Sequence, residues 1–249
     1  APRFSWLVTA ETSATPRGLA QASYQIVVTK LTAAAASSSP PSPVVWDSGK
    51  VTSALTYLVP YGGSTLESDT TYAVELDVTD TAGARATAAS SFRTGLLGGR
   101  NEWKGEWITG GDTNKLLRSV FTLKDKPVAE AFAFVSGIGY HQLLCDGDKI
   151  GDHELDVGWT DYTKRVYYVT HNITACLSGA SSSIRGSAST STSHALGVML
   201  GNGWFAQAGG QPGAHSAPPQ VLVQVNIRYA DGELDDTTAV THSSSWLAG

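Results

Sequence analysis

The sequence predicts an all-β protein built from two sandwiches, and three observations carry that prediction. Apolar and polar residues alternate over SYQIVVTKL (23–31) and TYAVELDVTD (71–80). In the second stretch Tyr72, Val74, Leu76 and Val78 point one way and Glu75, Asp77 and Thr79 the other, the period of two that marks a half-buried strand. Turn-forming clusters punctuate the chain, and 26 of its 249 residues are glycine. No stretch keeps apolar residues at i, i+3, i+4 and i+7 for more than about two turns, so long amphipathic helices are not expected.

Taken in order, residues 1–96 read as an immunoglobulin/fibronectin-like sandwich of six or seven short strands. Turns are expected at PRG (16–18), WDSGK (46–50), YGGS (61–64) and TAGAR (81–85). AAAASSSPPSP (33–43) interrupts two of these strands and reads as a solvated loop insertion. A glycine-rich hinge follows in GLLGGRNEW, with boundaries at 97–106, and Trp103 and Trp107 beside it are expected to pack between domains. Residues 107–249 read as a second, larger sandwich of the jelly-roll, galactose-binding-like type. Its strands are expected at 116–123, 129–137, 140–147, 164–174, 195–201 and 220–232. GASSSIRGSASTSTSH (179–194) is a second low-complexity insertion.

Composition narrows the function classes. Hydrophobic residues make up 41% and charged residues 16%, enough to bury two cores. The net charge is −5, and residues 101–249 carry all of it. That balance offers no footprint for nucleic acid or an anionic membrane surface. No apolar run approaches the roughly 20 residues that span a bilayer. The chain opens on APRFSW with no basic-then-apolar leader, so a signal peptide is expected to be cleaved or outside this sequence, and a secreted or extracellular location is favoured. Cys145 and Cys176 have no zinc-type spacing and are read as two buried small apolar side chains in preference to a disulfide. The six histidines are scattered, with no pair at metal-binding spacing.

The densest group of carboxylates lies in DGDKIGDHELDVGWTDY (146–162), with Asp146, Asp148, Asp152, Glu154, Asp156 and Asp161. An EF-hand starting at Asp146 has Gly151 at its sixth position, but Ile150 and Val157 stand where oxygen ligands are required, so it is rejected. A looser calcium site using Asp146, Asp148 and Asp152 survives, because hard cations need only converging oxygens. Asp146-Gly147 also reads as a hairpin turn, with Lys149 and Ile150 starting the return strand. Glu154, Asp156 and Asp161 lie in a polar stretch with nothing to desolvate one of them, so a glycosidase acid/base pair is not expected. No G-x-S-x-G, P-loop or H-E-x-x-H sequence occurs, and catalytic residues are assigned to none of this chain.

Aromatic residues give the stronger signal. Trp159 and Tyr162 flank Asp161 in GWTDY, and Trp204 and Phe205 follow Asn202 in GNGWF. An apolar ring stacks on the C–H face of a pyranose while amide and carboxylate groups take its hydroxyls. Asp146, Asp148, Trp159, Asp161, Tyr162, Asn202 and Trp204 are therefore the candidate carbohydrate contacts, with core packing as the competing reading for the rings. His-Asn-Ile-Thr (171–174) makes Asn172 an N-glycosylation acceptor, or else a capped turn at a strand end.

Read as an ordered series, the motifs carry a resemblance. PRFSW, YQIVV with VWDSGKV, FRTGLL with EWKGEWI, LLRSVFTL, GIGYHQLLCDGDKIGD, LDVGWTDYTKRVYYVTHNIT and LGNGWF run from residue 2 to about residue 232. The series resembles the N-terminal region of inverting α-L-rhamnosidases, whose catalytic domain is an (α/α)₆ barrel. The resemblance implies a fibronectin-like domain followed by a jelly roll. In some members a related jelly roll is a carbohydrate-binding module that takes L-rhamnose with calcium. It also implies that the catalytic carboxylates lie in and around the barrel, beyond residue 249, in a parent that hydrolyses terminal α-L-rhamnosyl residues. Members commonly have Asn-Gly where this chain has Asp146-Gly147, and Asp-Val-Thr where it has Asn172-Ile173-Thr174. The competing expectation is a stand-alone structural or adhesion protein without a catalytic domain.

Overall fold

The computed structural model describes residues 1–9, 18, 20–31, 42–111, 115–179, 192–206 and 217–248. The two Ser/Ala-rich insertions predicted at 33–43 and 179–194 lie mostly outside the described residues, as do His215 and part of the PRG turn. The chain divides into two compact units, Ala1–Gly99 and Arg100–Gly249.

In the first unit the strands are β1 (Arg3–Phe4), β2 (Gln21–Lys30), β3 (Val44–Asp47), β4 (Val51–Thr52), β5 (Val59–Pro60), β6 (Thr71–Asp80) and β7 (Arg85–Arg93). They form an antiparallel sheet of order β3-β2-β6-β7, with β4 also on β2, and a separate β1–β5 pair. The alternation read from the sequence sets the inward face. Tyr24, Ile26 and Val28 on β2 meet Tyr72 and Val74 on β6 in one buried cluster. Ile26 and Val28 are at most 1% exposed, and full burial of such a side chain stabilises by about 1.5–3 kcal/mol.

The second unit contains β8 (Leu116–Thr122), β9 (Val128–Ile138), β10 (Tyr140–Cys145), β11 (Asp148–Lys149), β12 (Val169–Asn172), a helical turn α1 (Thr174–Leu177), β13 (Ser193–Gly201), β14 (Gln220–Tyr229), β15 (Leu234–Asp235) and β16 (Leu247–Ala248). Two antiparallel sheets, β11-β10-β13-β8-β16 and β12-β9-β14-β15, enclose one core. On β10 the inward residues are His141, Leu143 and Cys145, two apart. β14 is buried along most of its length, and its polar residues are satisfied internally. The Gln224 side chain accepts from Lys104 N at 2.7 Å and donates to Asn226 Oδ1 at 2.9 Å. Among the described residues the only α-helix is the four-residue turn α1, and none is long and apolar enough to cross a membrane.

Two expectations need correction. The stretch 164–174 is not one strand. Lys164 N and Arg165 N both bond Asp161 O, closing a turn, and only Val169–Asn172 joins the sheet. The cysteines are not separate apolar side chains but a disulfide, with Cα atoms 6.4 Å apart across a sequence separation of 31. Cys145 sits on the inward phase of β10, in one sheet, and Cys176 on α1, just after the strand β12 of the other. The bond therefore fastens the two layers together, a meeting that spacing alone does not encode.

Candidate functional site

The acidic run begins as the hairpin expected from Asp146-Gly147. Cys145 pairs with Asp148, and the two loop residues have φ of 51° and 96°, the left-handed pair that a tight type I′ turn requires. Gly147 meets that demand without strain, and Asp is among the side chains that tolerate it. The Asp146 carboxylate turns inward. One oxygen lies 2.7 Å from His194 Nδ1 and the other accepts from Ala195 N at 2.8 Å. Asp146 thus fastens the hairpin to β13, and both its oxygens are occupied by protein groups. A calcium ion or sugar at Asp146 would have to compete with these bonds. Asp146 converges only with the disulfide sulfurs of Cys145 and Cys176, and the ligand atoms of Asp146, Asp148 and Asp152 do not converge among the described residues.

The other acids of the run also have local tasks. Glu154 pairs with Lys149, and Asp156 lies 3.1 Å from His153 Nδ1. Asp161 accepts from Thr163 Oγ1 at 2.6 Å and Thr163 N at 3.1 Å, and pairs with Lys164 at 2.9 Å. Asp161 therefore shapes the loop that carries Trp159. The loop is closed a second time by Thr160 Oγ1 donating to Arg165 O at 2.6 Å.

The two aromatic motifs are brought together. Tyr162 packs edge-on against Phe205 with centroids 5.3 Å apart, joining GWTDY to GNGWF. Burial, then the neighbouring Tyr140, raises the Tyr162 phenol above its ordinary pKa, so its hydroxyl stays a neutral donor. GNGWF is itself pinned by a close backbone approach. A Cβ on Gly139, at φ 108°, would stand 2.4 Å from Gly201 O, so only glycine fits there. Trp159 and Trp204 remain 61% and 53% exposed, unusual for indoles, while Phe205 is buried.

The seven candidate carbohydrate residues do not form one site. Tyr140 at the start of β10 pairs with Gly201, next to Asn202, whereas Asp146 and Asp148 follow its far end. Six residues of strand separate the groups by about 17–20 Å, beyond the reach of one sugar ring. Trp159, Asp161, Tyr162, Asn202 and Trp204 stay in the two segments joined by Tyr162 and Phe205. Trp103 finds its ring partner within the second unit, edge-on to Tyr168 at 5.7 Å. Asn172 accepts from Thr174 N at 3.0 Å, a local turn at the end of β12, and its residue is exposed.

The sequence reading missed one constellation. His141 and His171 face inward from β10 and β12, on opposite sheets, and Asp156 bridges to His141 through His141 N donating to Asp156 O at 2.6 Å. Ligand atoms of His141, Asp156 and His171 all lie within 4.8 Å of one another. Both ring nitrogens of His141, and Nε2 of His171, are buried without a hydrogen-bond partner. Each orphaned polar atom costs about 1–3 kcal/mol. Burial is the main cause that pushes His141 down to about 4 and lowers His171, so both rings are neutral near pH 7. The signal available in the sequence was phase: His141 shares the alternation of Leu143 and Cys145.

Comparison with known proteins agrees with this architecture. Residues 1–98 match the Rha78A-like N-terminal immunoglobulin domain, and residues 126–248 match the α-L-rhamnosidase N-terminal domain. An α-L-rhamnosidase of Formosa agariphila is 28% identical over 93% of this chain and 26% of its own length. One from Alteromonas sp. is 28% identical over 99% of the chain and again 26% of its own length. The structure of an α-L-rhamnosidase from Dictyoglumus thermophilum superposes with a TM-score of 0.74 at 25% identity, covering 94% of this chain and 26% of that one. The chain thus spans about a quarter of the length of these two relatives.

Proposed function

The chain belongs, through both of its domains, to the N-terminal region of the α-L-rhamnosidase family, and from that premise we propose that it scaffolds a rhamnosidase catalytic domain and holds rhamnosides near it. The parent protein would hydrolyse terminal α-L-rhamnosyl residues, with its acid and base supplied by the catalytic domain. The observation that carries the binding role is the exposure of Trp159 and Trp204 on segments locked by Tyr162 and Phe205. A preorganised ring loses little entropy when a pyranose stacks on it, and Asn202 lies on the same GNGWF segment as Trp204. The disulfide supports an oxidising, extracellular setting, in which Asn172 is available for a glycan if the host performs that chemistry.

Calorimetry of the chain with L-rhamnose, with and without calcium, tests the binding role. Binding heat at millimolar sugar is expected, and Trp159→Ala should abolish it. Absence of heat in both conditions removes recognition and leaves scaffolding. The competing reading, a stand-alone adhesion module, is decided by the length of the native gene product: an open reading frame running several hundred residues past position 249 refutes it.

A further inference from the structure

We propose that His141, Asp156 and His171, with His153 at the rim, bind a divalent transition cation of the zinc class that clamps the two sheets of the second unit. The donors are two imidazoles and a carboxylate, a set suited to zinc and poorly suited to calcium, which takes oxygen ligands. His141 and His171 are 5% and 7% exposed, and three of their ring nitrogens have no partner inside the protein. Buried imidazole nitrogens facing one another around a carboxylate are what an unfilled ligand set leaves behind. The rings sit edge to face at 6.5 Å between centroids, and His153 stands 5.9 Å from His171. His153 Nδ1 lies 3.1 Å from Asp156 Oδ2, at the edge of the set and outside the three residues whose ligand atoms all converge. Tetrahedral zinc with bonds of about 2.0–2.1 Å holds its ligand atoms roughly 3.4 Å apart, and the three ligand atoms here already lie within 4.8 Å of one another.

The ligands come from three places: β10 in one sheet, β12 in the other, and the segment between β11 and β12. A cation there would act as a crosslink at a different point from the disulfide, and it is independent of any sugar role. Gly137 on β9 leaves room for the arrangement, since a Cβ there would approach His141 Nδ1 to 2.6 Å.

The test uses the whole chain without an affinity tag, stripped with chelator and then titrated with zinc and, separately, with cobalt. The expected results are one zinc per chain after dialysis and visible d–d bands of tetrahedral cobalt. At a hundredfold excess over Kd, the second unit should also melt roughly 5–10 °C higher. Asp156→Asn, nearly isosteric, and His171→Gln should each lower zinc affinity at least about tenfold, as loss of a direct ligand does. Should either variant fail to fold, the cobalt spectrum of the unmodified chain still decides the matter. Less than a tenth of an equivalent of zinc with no tetrahedral cobalt bands overturns the proposal. So does stoichiometric binding that survives in both variants.

Discussion

Reducing the Cys145–Cys176 disulfide should destabilise the second unit and leave the first untouched, because both cysteines belong to Arg100–Gly249. The sequence separation of 31 sets the loop that the bond closes in the unfolded chain. With a loop of that length the chain-entropy relation gives about 12 cal/mol/K, or about 3.7 kcal/mol at 25 °C. A domain of this size shifts by about 2–4 °C per kcal/mol, so the melting temperature should fall by about 7–15 °C. Differential scanning calorimetry of oxidised and phosphine-reduced protein measures this directly, with the cysteine-free first unit as the internal reference. The double variant Cys145→Ala/Cys176→Ala should melt lower still, since it also removes two buried sulfur atoms. A drop smaller than about 2 °C on reduction would refute the reasoning, showing that the folded layers are held together without the bond or that the reduced chain is already constrained.

Three further perturbations follow from single contacts. Gly137→Ala places a methyl against His141 at 2.6–3.3 Å and should cost about 1–3 kcal/mol in urea unfolding; an unchanged midpoint would mean that the ring moves aside freely. Asp146→Asn preserves the tight turn but discharges the bond to His194, so a loss of about 1 kcal/mol is expected by thermal denaturation, and a gain would contradict the inward fastening. Burial pulls the Asp235 carboxyl upward, but its bonds to Thr238 and Thr237 outweigh this and hold its pKa below 3.8. A depressed carboxyl contributes stability above the unfolded value and loses it as pH falls through the folded one. The second unit should therefore weaken below about pH 4, and Asp235→Asn should flatten that slope; an identical acid profile in the variant would exclude the contribution.

The fold was legible because its signal is local. Tyr24, Ile26 and Val28 on β2 and Tyr72 and Val74 on β6 alternate in the sequence and share one buried cluster. The hairpin at Asp146-Gly147 was legible for the same reason, since two adjacent residues determine it. What escaped depends on encounters between distant segments. Cys145 and Cys176, or His141 and His171, meet only because two sheets stack, and neither pair has a spacing that announces it. The predicted strand at 164–174 failed through a residue outside it: the main-chain carbonyl of Asp161 accepts from Lys164 N and Arg165 N, and its carboxylate pairs with Lys164, which draws both into a turn despite their place in an apolar, β-prone run.

Acids on turns are often engaged by the chain itself, and the physical reason is general. A carboxylate on a turn attracts the nearest backbone N–H, hydroxyl or cation, because leaving it without partners costs more than any shape constraint it imposes. Asp146 fastens to β13, Asp161 orders its own loop, and Glu154 pairs with Lys149. Asp156 likewise meets His153, so at least four of the six acids of the run have protein contacts in the fold. The informative groups are those whose demands the fold leaves unmet. These are the indole faces of Trp159 and Trp204, which hold apolar surface in water, and the ring nitrogens of His141 and His171, which hold polar atoms away from it. The first mismatch calls for an apolar ring face such as a pyranose presents, and the second for a Lewis acid. The two proposed binding chemistries are therefore separable, one exposed at the GWTDY–GNGWF junction and one enclosed between the sheets. Saturating one with rhamnose should leave the cobalt spectrum of the other unchanged.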